Sequence, residues 1–287
     1  MKLTSPTQVK NWCIENGFHP NKTLGQNFLV DLNILNIITD AACISAGQRI
    51  LEIGSGLGVL TEALLQRGAH VTAVEKDGRL ASRLAAALGS PKALNVVESD
   101  ALDLDLDEFL TAGFDACVSN LPYSVGTRIL LELAMHPAAP MRFVVLVQSE
   151  VAERLRAGPG TEARGQSGVW LQLDYDVSLT REVKASCFWP KPEVGSAIVR
   201  LERHDCDLSK AERQWFFDLT RYAFMHRRKQ IGSVLRKAPE QLRCSEDTLE
   251  RILVAAGIDP HVRPERLTGD QWQGLSREFA RVFTVVG

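Results

Sequence analysis

The sequence predicts an α/β fold, in which a parallel sheet carries helices on both faces, followed by a small all-α domain. Between about residues 33 and 150, short apolar runs alternate with amphipathic stretches, which is typical of parallel strands joined by helices. Beyond about residue 205 the strand-like runs stop, and helical periodicity with prolines in the connections follows. These two observations indicate an N-terminal sheet domain and a C-terminal helical domain.

The individual elements follow from this alternation. Apolar runs predict buried strands at Arg49–Ile53, Val71–Glu75, Leu94–Glu98, Asp115–Ser119 and Phe143–Val147. Amphipathic stretches predict helices at about 59–67, 78–88 and 126–135. Two more strands, at about 177–184 and 197–202, flank the loop 186–196. Because these two strands follow each other directly, we expect an antiparallel pair at a sheet edge.

The second domain is predicted to be helical throughout and basic in one segment. Its helices cover about 209–225, 228–236, 246–255 and 270–282, and the change of pattern near 204–208 divides the chain into domains 1–205 and 206–287. Residues 221–243 hold seven basic side chains and one acidic side chain. Such a run is usually a solvated helix face, but in a chain of net charge −2 it favours a surface that contacts RNA phosphates. The candidate RNA-binding residues are Arg221, Arg227, Arg228, Lys229 and Arg236.

Composition excludes several classes of protein. The 287 residues are 45% hydrophobic, so the chain can bury a sizeable core, and disorder of the whole chain is excluded. The six cysteines and six histidines lack metal-ligand spacing, so we expect neither a disulfide framework nor a metal ion. No apolar run approaches the roughly 18 residues of a membrane span, and the N-terminus lacks a targeting pattern. We therefore expect a cytoplasmic protein with no membrane partner.

A glycine-rich turn supplies the first chemical signal. Residues 51–58 read Leu-Glu-Ile-Gly-Ser-Gly-Leu-Gly and connect a predicted strand to a predicted helix. Glycines let the backbone turn tightly and approach a ligand closely. The GxGxG spacing differs from the GxGxxG turn that holds a pyrophosphate, and it suits a ligand without phosphate, such as S-adenosylmethionine. By itself, the turn is equally consistent with an ordinary strand-to-helix connection.

Polar residues at the ends of the next three strands strengthen that interpretation. Glu75 ends the second predicted strand, where its carboxylate can accept hydrogen bonds from both ribose hydroxyls of an adenosine. Asp100 follows the third strand and can accept from an adenine amino group, and Asn120 follows the fourth. Open α/β sheets bind ligands at the carboxyl ends of their strands. Each residue alone is more often a helix cap or turn residue, but their regular placement predicts one ligand site.

The tetrapeptide Asn120-Leu121-Pro122-Tyr123 indicates the reaction. An exocyclic base amine has two N–H groups, and the Asn120 side-chain oxygen and the Leu121 carbonyl can accept one each. Pro122 stiffens the turn, and Tyr123 offers a ring on which a base can stack. Holding both protons turns the nitrogen lone pair toward a methyl donor. The alternative interpretation is a proline-containing turn after a strand.

Together these motifs resemble the small-subunit ribosomal RNA adenine N6-dimethyltransferase family, from about residue 22 to residue 278. The family's motifs stand here as Gly25-Gln26-Asn27-Phe28-Leu29 with Asp31, the glycine turn 51–58, Val74–Asp77, Asp100–Leu102, Asn120–Tyr123, Gln148 with Glu150–Leu155, Phe188–Ser196, and Arg227–Lys229 after Phe224. The sequence departs from the common pattern at Ser55, Ser124, Ser149, Arg164 and Gly195, where Pro, Asn, Lys, Tyr and Asp are usual. None of these departures touches Glu75, Asp100, Asn120 or Tyr123.

The resemblance implies a Rossmann-like methyltransferase sheet, a helical RNA-binding domain and a monomeric enzyme of ribosome biogenesis. The implied substrate is a pair of adjacent adenines in a hairpin loop near the 3′ end of small-subunit rRNA, alone or in the precursor subunit, and the implied product is N6,N6-dimethyladenosine. Phe188 is implied to pack on the target adenine opposite Tyr123, with ordinary core packing as the alternative. The implied S-adenosylmethionine-binding residues are Gln26, Asn27, Leu29, Gly54, Gly56, Glu75, Lys76, Asp100, Ala101 and Asn120.

Three other functions remain open at this stage. A related enzyme would methylate large-subunit rRNA and confer macrolide resistance, although Gly25 and Leu121 favour the small-subunit branch. A non-catalytic RNA-binding assembly factor need not bind S-adenosylmethionine, and the intact Glu75, Asp100 and Asn120 argue against it. A nicotinamide dehydrogenase would require the GxGxxG turn that is missing here.

Overall fold

The computed structural model describes residues 4–21 and 24–284, so residue 22, where the resemblance begins, lies outside the described residues. The helices and longer strands follow each other along the chain in an order close to that expected. In chain order they are α1 (Pro6–Glu15), β1 (Phe28–Leu29), α2 (Leu32–Ala41), β2 (Arg49–Ile53), α3 (Val59–Gln66), β3 (His70–Glu75), α4 (Gly78–Ala87), β4 (Leu94–Glu98), α5 (Leu106–Phe109), β5 (Ala116–Asn120), α6 (Gly126–Ala134), β6 (Arg142–Gln148), α7 (Ser149–Arg156), α8 (Gln166–Leu171), β7 (Tyr175–Val183), β8 (Phe188–Trp189), β9 (Ser196–Arg203), α9 (Lys210–Met225), α10 (Ile231–Arg236), α11 (Glu246–Ala255) and α12 (Gly269–Thr284).

The main sheet has seven strands in the order β4-β3-β2-β5-β6-β9-β7. β4, β3, β2, β5 and β6 are parallel to one another, whereas β9 runs antiparallel to β6. The strand order reverses between β2 and β5, so the loops after these strands diverge and leave a crevice at their carboxyl ends. This arrangement confirms the predicted α/β class and places the ends of β2, β3, β4 and β5 at one edge.

Burial explains why the central strands read as apolar runs. All five residues of Phe143–Val147 in β6 are buried, and β2 is buried from Ile50 to Ile53. A strand covered by helices on both faces cannot alternate apolar and polar residues. Aspartates begin the flanking helices: Asp31 accepts from the Ile34 amide at the start of α2, and Asp77 accepts from the Arg79 amide at the start of α4.

A two-stranded sheet of β1 and β8 was not predicted. It is antiparallel, with Phe28 opposite Trp189 and Leu29 opposite Phe188. β8 lies in the segment 186–196, where the sequence pattern predicts a loop. Strands of two residues are too short to show a period, and their pairing joins segments about 160 residues apart in sequence, so a local pattern could not reveal them.

The chain divides into two compact units, whose limits differ from the expected 1–205 and 206–287. The first unit comprises Met1–Ala152 and Asp176–Arg203, and the second comprises Glu153–Tyr175 and His204–Gly287. The segment 153–175 joins the helical unit because Val169 and Leu173 lie in the apolar core built around Phe216 and Trp272. In addition, Arg213 of α9 donates to Asp174, with an Nη1–Oδ1 distance of 2.8 Å.

One predicted helix of the second unit begins later than expected. The periodicity places a helix at 228–236, but α10 starts at Ile231, and Arg227, Arg228 and Lys229 form the turn after α9. Across residues 4–21 and 24–284, every helix is too short or too polar to span a bilayer.

The close approach of α8 to the end of α7 makes Gly168 a sensitive position. A Cβ at residue 168 would overlap the carbonyl oxygen of Arg154 and lie 3.2 Å from that of Leu155. Backbone atoms cannot move aside cheaply, so we expect Gly168→Ala to lower the free energy of unfolding by about 1–3 kcal/mol. Gly158→Ala, at a position with open space around its Cβ, is the matched control and should change it by less than about 0.5 kcal/mol. Denaturant unfolding measures both, and equal effects would contradict the steric argument.

Candidate active site

A cavity lies at the carboxyl-terminal edge of the parallel strands. Its wall comes from the segment 24–29, the glycine turn, and the residues that follow β3, β4 and β5. All ten residues assigned to S-adenosylmethionine binding line this cavity, as do Leu121, Pro122 and Tyr123 of the tetrapeptide. Phe188 is not among the lining residues. The structure therefore brings the predicted donor-binding residues and the tetrapeptide together around one space, whereas Phe188 lies outside its wall.

The glycine turn needs its glycines for two reasons, namely its backbone conformation and the close approach of the Phe28 ring. Gly54 and Gly56 have φ angles of +74° and +57°, a region that disfavours residues with a Cβ. A Cβ on Gly56 would lie 3.1 Å from the ring of Phe28. The N-terminal segment is thus packed directly on the turn, and together they narrow the cavity.

Glu75 is held in place by the backbone. Its Oε2 accepts from the Gly56 amide at 2.8 Å, and its Oε1 accepts from the Asp77 amide at 2.9 Å. Burial raises the pKa of Glu75, and these two amides oppose part of the rise because they bond to the charged form. Each carboxylate oxygen keeps a further lone pair, so a fixed carboxylate can still accept from a ligand's hydroxyl groups.

Asp77 and Gln26 connect the N-terminal segment to the start of α4. Gln26 donates from Nε2 to Asp77 Oδ2 at 3.0 Å and accepts at Oε1 from the Asn21 amide at 2.7 Å. The Arg79 guanidinium beside Asp77 lowers the pKa of that carboxyl. Gln26 therefore uses both ends of its amide on protein partners, a positioning contact that the resemblance alone did not reveal.

Lys76 and Asp100 form an ion pair at the rim of the cavity. Asp100 also accepts at Oδ1 from the Leu102 amide at 3.0 Å, which fixes its carboxylate after β4. The hydrogen bond from Lys76 lowers the pKa of Asp100. Because Lys76 is more than half exposed, the pair adds little stability, and a ligand can displace the ammonium at small cost.

The orientation of the Asn120 amide is set by Asn27. Asn120 Nδ2 donates to the Asn27 backbone carbonyl at 3.1 Å. The other end of the amide, Oδ1, is buried, and no described residue donates a hydrogen bond to it. A buried acceptor without a partner costs about 1–3 kcal/mol. Asn120 at the end of β5 thus presents a fixed, unused acceptor beside the cavity.

Tyr123 and Phe188 meet edge to face. Their ring centroids are 6.3 Å apart with planes inclined at 73°, and the Tyr123 hydroxyl is hydrogen-bonded to Ser196 Oγ. Burial raises the pKa of Tyr123, so this hydroxyl stays protonated near neutral pH. Phe188 is 3% exposed and packs in the apolar core with Leu29, Val183 and Ile198.

Two buried polar residues of the cavity wall were not predicted as site residues from the sequence. Glu52, in the middle of buried strand β2, is 1% exposed, and its Oε2 has no hydrogen-bond partner among the described residues. The hydroxyl of Ser55 in the glycine turn is also buried, and no described residue forms a hydrogen bond with it. The available signal for Glu52 was a carboxylate inside an otherwise apolar run, which is rare unless it is paired or functional.

The predicted RNA-binding residues differ in their surroundings within the helical unit. Arg221 lies 5.5 Å from the Trp170 ring centroid and 3.6 Å from Asp218, and Arg236 pairs with Glu246 at 2.8 Å. Arg227, Arg228 and Lys229 are exposed in the turn between α9 and α10. In residues 4–21 and 24–284, no group of three or more His, Cys, Asp and Glu side chains is arranged to hold a metal ion.

Comparisons with known proteins agree with this geometry. A model of the family described as ribosomal RNA adenine dimethylase matches residues 17–261. The chain is 36% identical to ribosomal RNA small subunit methyltransferase A of Geobacillus thermodenitrificans (strain NG80-2), covering 99% of both chains. It is 34% identical to the protein of that name from Alkaliphilus oremlandii (strain OhILAs), covering 98% of this chain and 99% of the relative.

Two solved structures share the fold. A dimethyladenosine transferase from Plasmodium falciparum superposes with a TM-score of 0.76 at 24% identity, covering 88% of this chain and 96% of that one. The 23S rRNA methyltransferase ErmE superposes with a TM-score of 0.67 at 26% identity, covering 88% of this chain and 99% of that one.

The fixed Glu75 carboxylate predicts a separation of roles between Glu75 and Asn120. We expect Glu75→Ala to weaken S-adenosylmethionine binding by about 10- to 100-fold, because it removes a charged acceptor worth roughly 1.5–3 kcal/mol. Asn120→Ala, at the end of β5, should change that affinity only slightly. Isothermal titration calorimetry on both variants measures this, and equal losses of donor affinity would show that the roles are not divided.

Proposed function

The chain belongs to the ribosomal RNA adenine dimethylase family, and on that basis we propose that it methylates N6 of adenines in small-subunit ribosomal RNA with S-adenosylmethionine as donor. The single observation that carries the mechanism is the unpartnered, buried Oδ1 of Asn120, held in place by the Asn27 carbonyl. It is the acceptor that an adenine amino group requires at this position.

The cavity suits the methyl donor. When bound, S-adenosylmethionine supplies a methyl group already activated on a sulfonium sulfur, so the protein needs to provide neither a strong nucleophile nor a metal ion. Glu75, whose two oxygens are oriented by amides, offers acceptors for ribose hydroxyls. Asp100 offers an acceptor for the adenine amino group, and Gly54 and Gly56 let the backbone approach. We assign the methionine portion to the region of Asn27 and Leu29.

The tetrapeptide acts on the target amine. Asn120 Oδ1 and the Leu121 carbonyl accept its two N–H groups, which fixes the nitrogen and stabilises the positive charge that develops on it. Pro122 keeps the turn rigid. Most of the rate acceleration then comes from positioning, which can contribute on the order of 7–11 kcal/mol. The amine proton leaves to water.

Tyr123 offers the stacking surface for the target base. A base can enter only after it leaves its own helix, which favours a single-stranded loop as the substrate. Contact between the base and Phe188 requires the edge-to-face pair of Tyr123 and Phe188 to rearrange, because Phe188 is buried and lies outside the cavity wall. We therefore propose that Phe188 borders the base only in the complex. The finer assignment is two adjacent adenines in the 3′ hairpin loop.

The same proposal extends to partners. The curated relatives that share 34–36% of their residues with this chain are named for the small ribosomal subunit, whereas ErmE, named for 23S rRNA, shares 26%. This difference favours the small-subunit substrate over the large-subunit one. We further propose that the helical unit contacts RNA phosphates through Arg221, Arg227, Arg228, Lys229 and Arg236, and that the protein acts as a cytoplasmic monomer.

Methyl transfer from labelled S-adenosylmethionine to undermethylated small subunits tests the function directly. We expect dimethyladenosine at two adjacent loop adenines with the wild-type protein. With Asn120→Ala we expect transfer to fall at least about 100-fold, because a transition-state acceptor worth roughly 2.7–4 kcal/mol is lost. Label in 23S rRNA would place the chain in the resistance branch. Binding of subunits without label would favour a non-catalytic assembly factor.

The basic turn predicts a salt-dependent effect on RNA binding. Reversing charge with Arg227→Glu and Arg228→Glu should weaken RNA binding and reduce the slope of log affinity against log salt by about two, one for each lost phosphate contact. The control reverses Arg251 and Arg281, exposed arginines of α11 and α12, and so makes the same change in net charge. Filter binding across a salt series measures the slopes, and an unchanged slope in the first variant would remove these residues from the RNA surface.

A further inference from the structure

Glu52 is a buried carboxyl that the proposed mechanism does not use. It lies in β2 and is one of the residues that line the donor cavity, together with Ile53 and Ser55. Only 1% of the residue is exposed, and no described residue donates a hydrogen bond to its Oε2. The cavity wall therefore contains a carboxyl group whose role the donor contacts and the tetrapeptide leave open.

The surroundings of Glu52 contain acids rather than cations. The titratable groups that act on it are Glu75 at the end of β3 and the buried Cys117 thiol of β5. Among the described residues, the Thr61 side chain of α3 favours the ionised form of Glu52. The ammonium of Lys76, which lines the same cavity, is directed to Asp100 at the rim. An isolated carboxylate in such a site is strongly disfavoured unless a positive charge joins it.

The proposed donor brings such a charge. S-adenosylmethionine carries a sulfonium, an ammonium and a carboxylate, for a net charge of +1 when its amino group is protonated. Its product, S-adenosylhomocysteine, has a neutral sulfur and a net charge of zero. A carboxyl that can change its protonation state within the cavity wall will therefore respond differently to the two ligands.

We propose that Glu52 carries a proton when the cavity holds no cation and releases it to solvent when the sulfonium donor binds, so that it selects donor over demethylated product. The inference rests on the proposed function, since it requires S-adenosylmethionine in this cavity. When the methyl group leaves, the sulfonium charge disappears and Glu52 takes a proton back from solvent. Product then loses the attraction that favoured the donor, which promotes exchange between the two.

The pH dependence follows from the sign of this linkage. Burial, the first cause, raises the pKa of Glu52 to about 8, so the carboxyl is mostly protonated at pH 7 in the free protein. Binding of the donor selects the charged form. Donor affinity should therefore rise with pH by up to about tenfold per unit below pH 8 and level off above it. Affinity for S-adenosylhomocysteine should depend on pH much less.

Calorimetric titrations in buffers of different ionisation enthalpy count the protons released. At pH 7 we expect close to one proton released from Glu52 per donor bound to the wild type, and fewer for S-adenosylhomocysteine. Glu52→Gln should abolish this contribution, and its donor-to-product affinity ratio should no longer vary with pH. The ligand's own amino group contributes the same number of protons with both proteins. The difference in proton release between wild type and Glu52→Gln is therefore the contribution of Glu52. Glu250→Gln, at an exposed position of α11, is the matched control and should behave as wild type.

A second measurement uses only the wild-type protein and so does not require the Glu52→Gln variant to fold. Infrared difference spectra of the wild type should show loss of a protonated-acid C=O stretch on adding S-adenosylmethionine, but not on adding S-adenosylhomocysteine. Donor binding with equal proton release in wild type and Glu52→Gln would overturn the inference, because the protons would then come from another group. No spectral difference between the ligands would also overturn it. Failure of S-adenosylmethionine to bind at all would instead overturn the proposed function.

Discussion

The carboxylate of Glu75 organises the site because it is bonded on both sides to backbone amides of different loops. Gly56 belongs to the turn after β2, and Asp77 begins the helix after β3. From Asp77 the connection continues to Gln26 in the N-terminal segment, and the next residue, Asn27, holds the Asn120 amide. These hydrogen bonds, with the peptide bond between Gln26 and Asn27, connect the predicted donor-binding residues to Asn120, the predicted target-amine residue. This is the preorganisation that electrostatic catalysis requires.

Several departures from the family pattern have local structural consequences. Ser149 and Gly195 are neighbours: the Ser149 amide donates to the Gly195 carbonyl at 3.0 Å, and a Cβ at 195 would lie 3.0 Å from Ser149 Oγ. The family pattern implied by the resemblance has Lys and Asp at these two places, whereas this chain has two uncharged residues, so neither position holds an uncompensated ion. Arg164 is different: its guanidinium is buried and donates to the Ala157 and Leu267 carbonyls, which fastens the loop 157–165 within the helical unit.

The sequence predicted those parts of the molecule that follow from local periodicity and from the rules of parallel sheets. The apolar runs located the strands, and because parallel strands share a carboxyl edge, Glu75, Asp100 and Asn120 could be grouped from their positions in the chain alone. Contacts between distant segments could not be predicted in this way. The pairing of β1 with β8, the bridge from Gln26 to Asp77 and the attachment of 153–175 to the helical unit depend on which surfaces meet. Arg228 and Lys229 were assigned to a helix because the turn contains no glycine or proline to mark it.

The cavity wall contains buried polar atoms that lower the free energy of unfolding because they lack hydrogen-bond partners, and a bound ligand can supply such partners. Among the described residues, the buried side-chain atoms without a hydrogen-bond partner include Glu52 Oε2, Ser55 Oγ and Asn120 Oδ1, all from residues that line this cavity. Each such atom costs about 1–3 kcal/mol when it lacks a partner. A protein selected only for stability would replace them with apolar groups, since interiors otherwise satisfy their polar atoms. Three of the six such atoms among the described residues line this one cavity, so molecules that bind there can supply their hydrogen-bond partners.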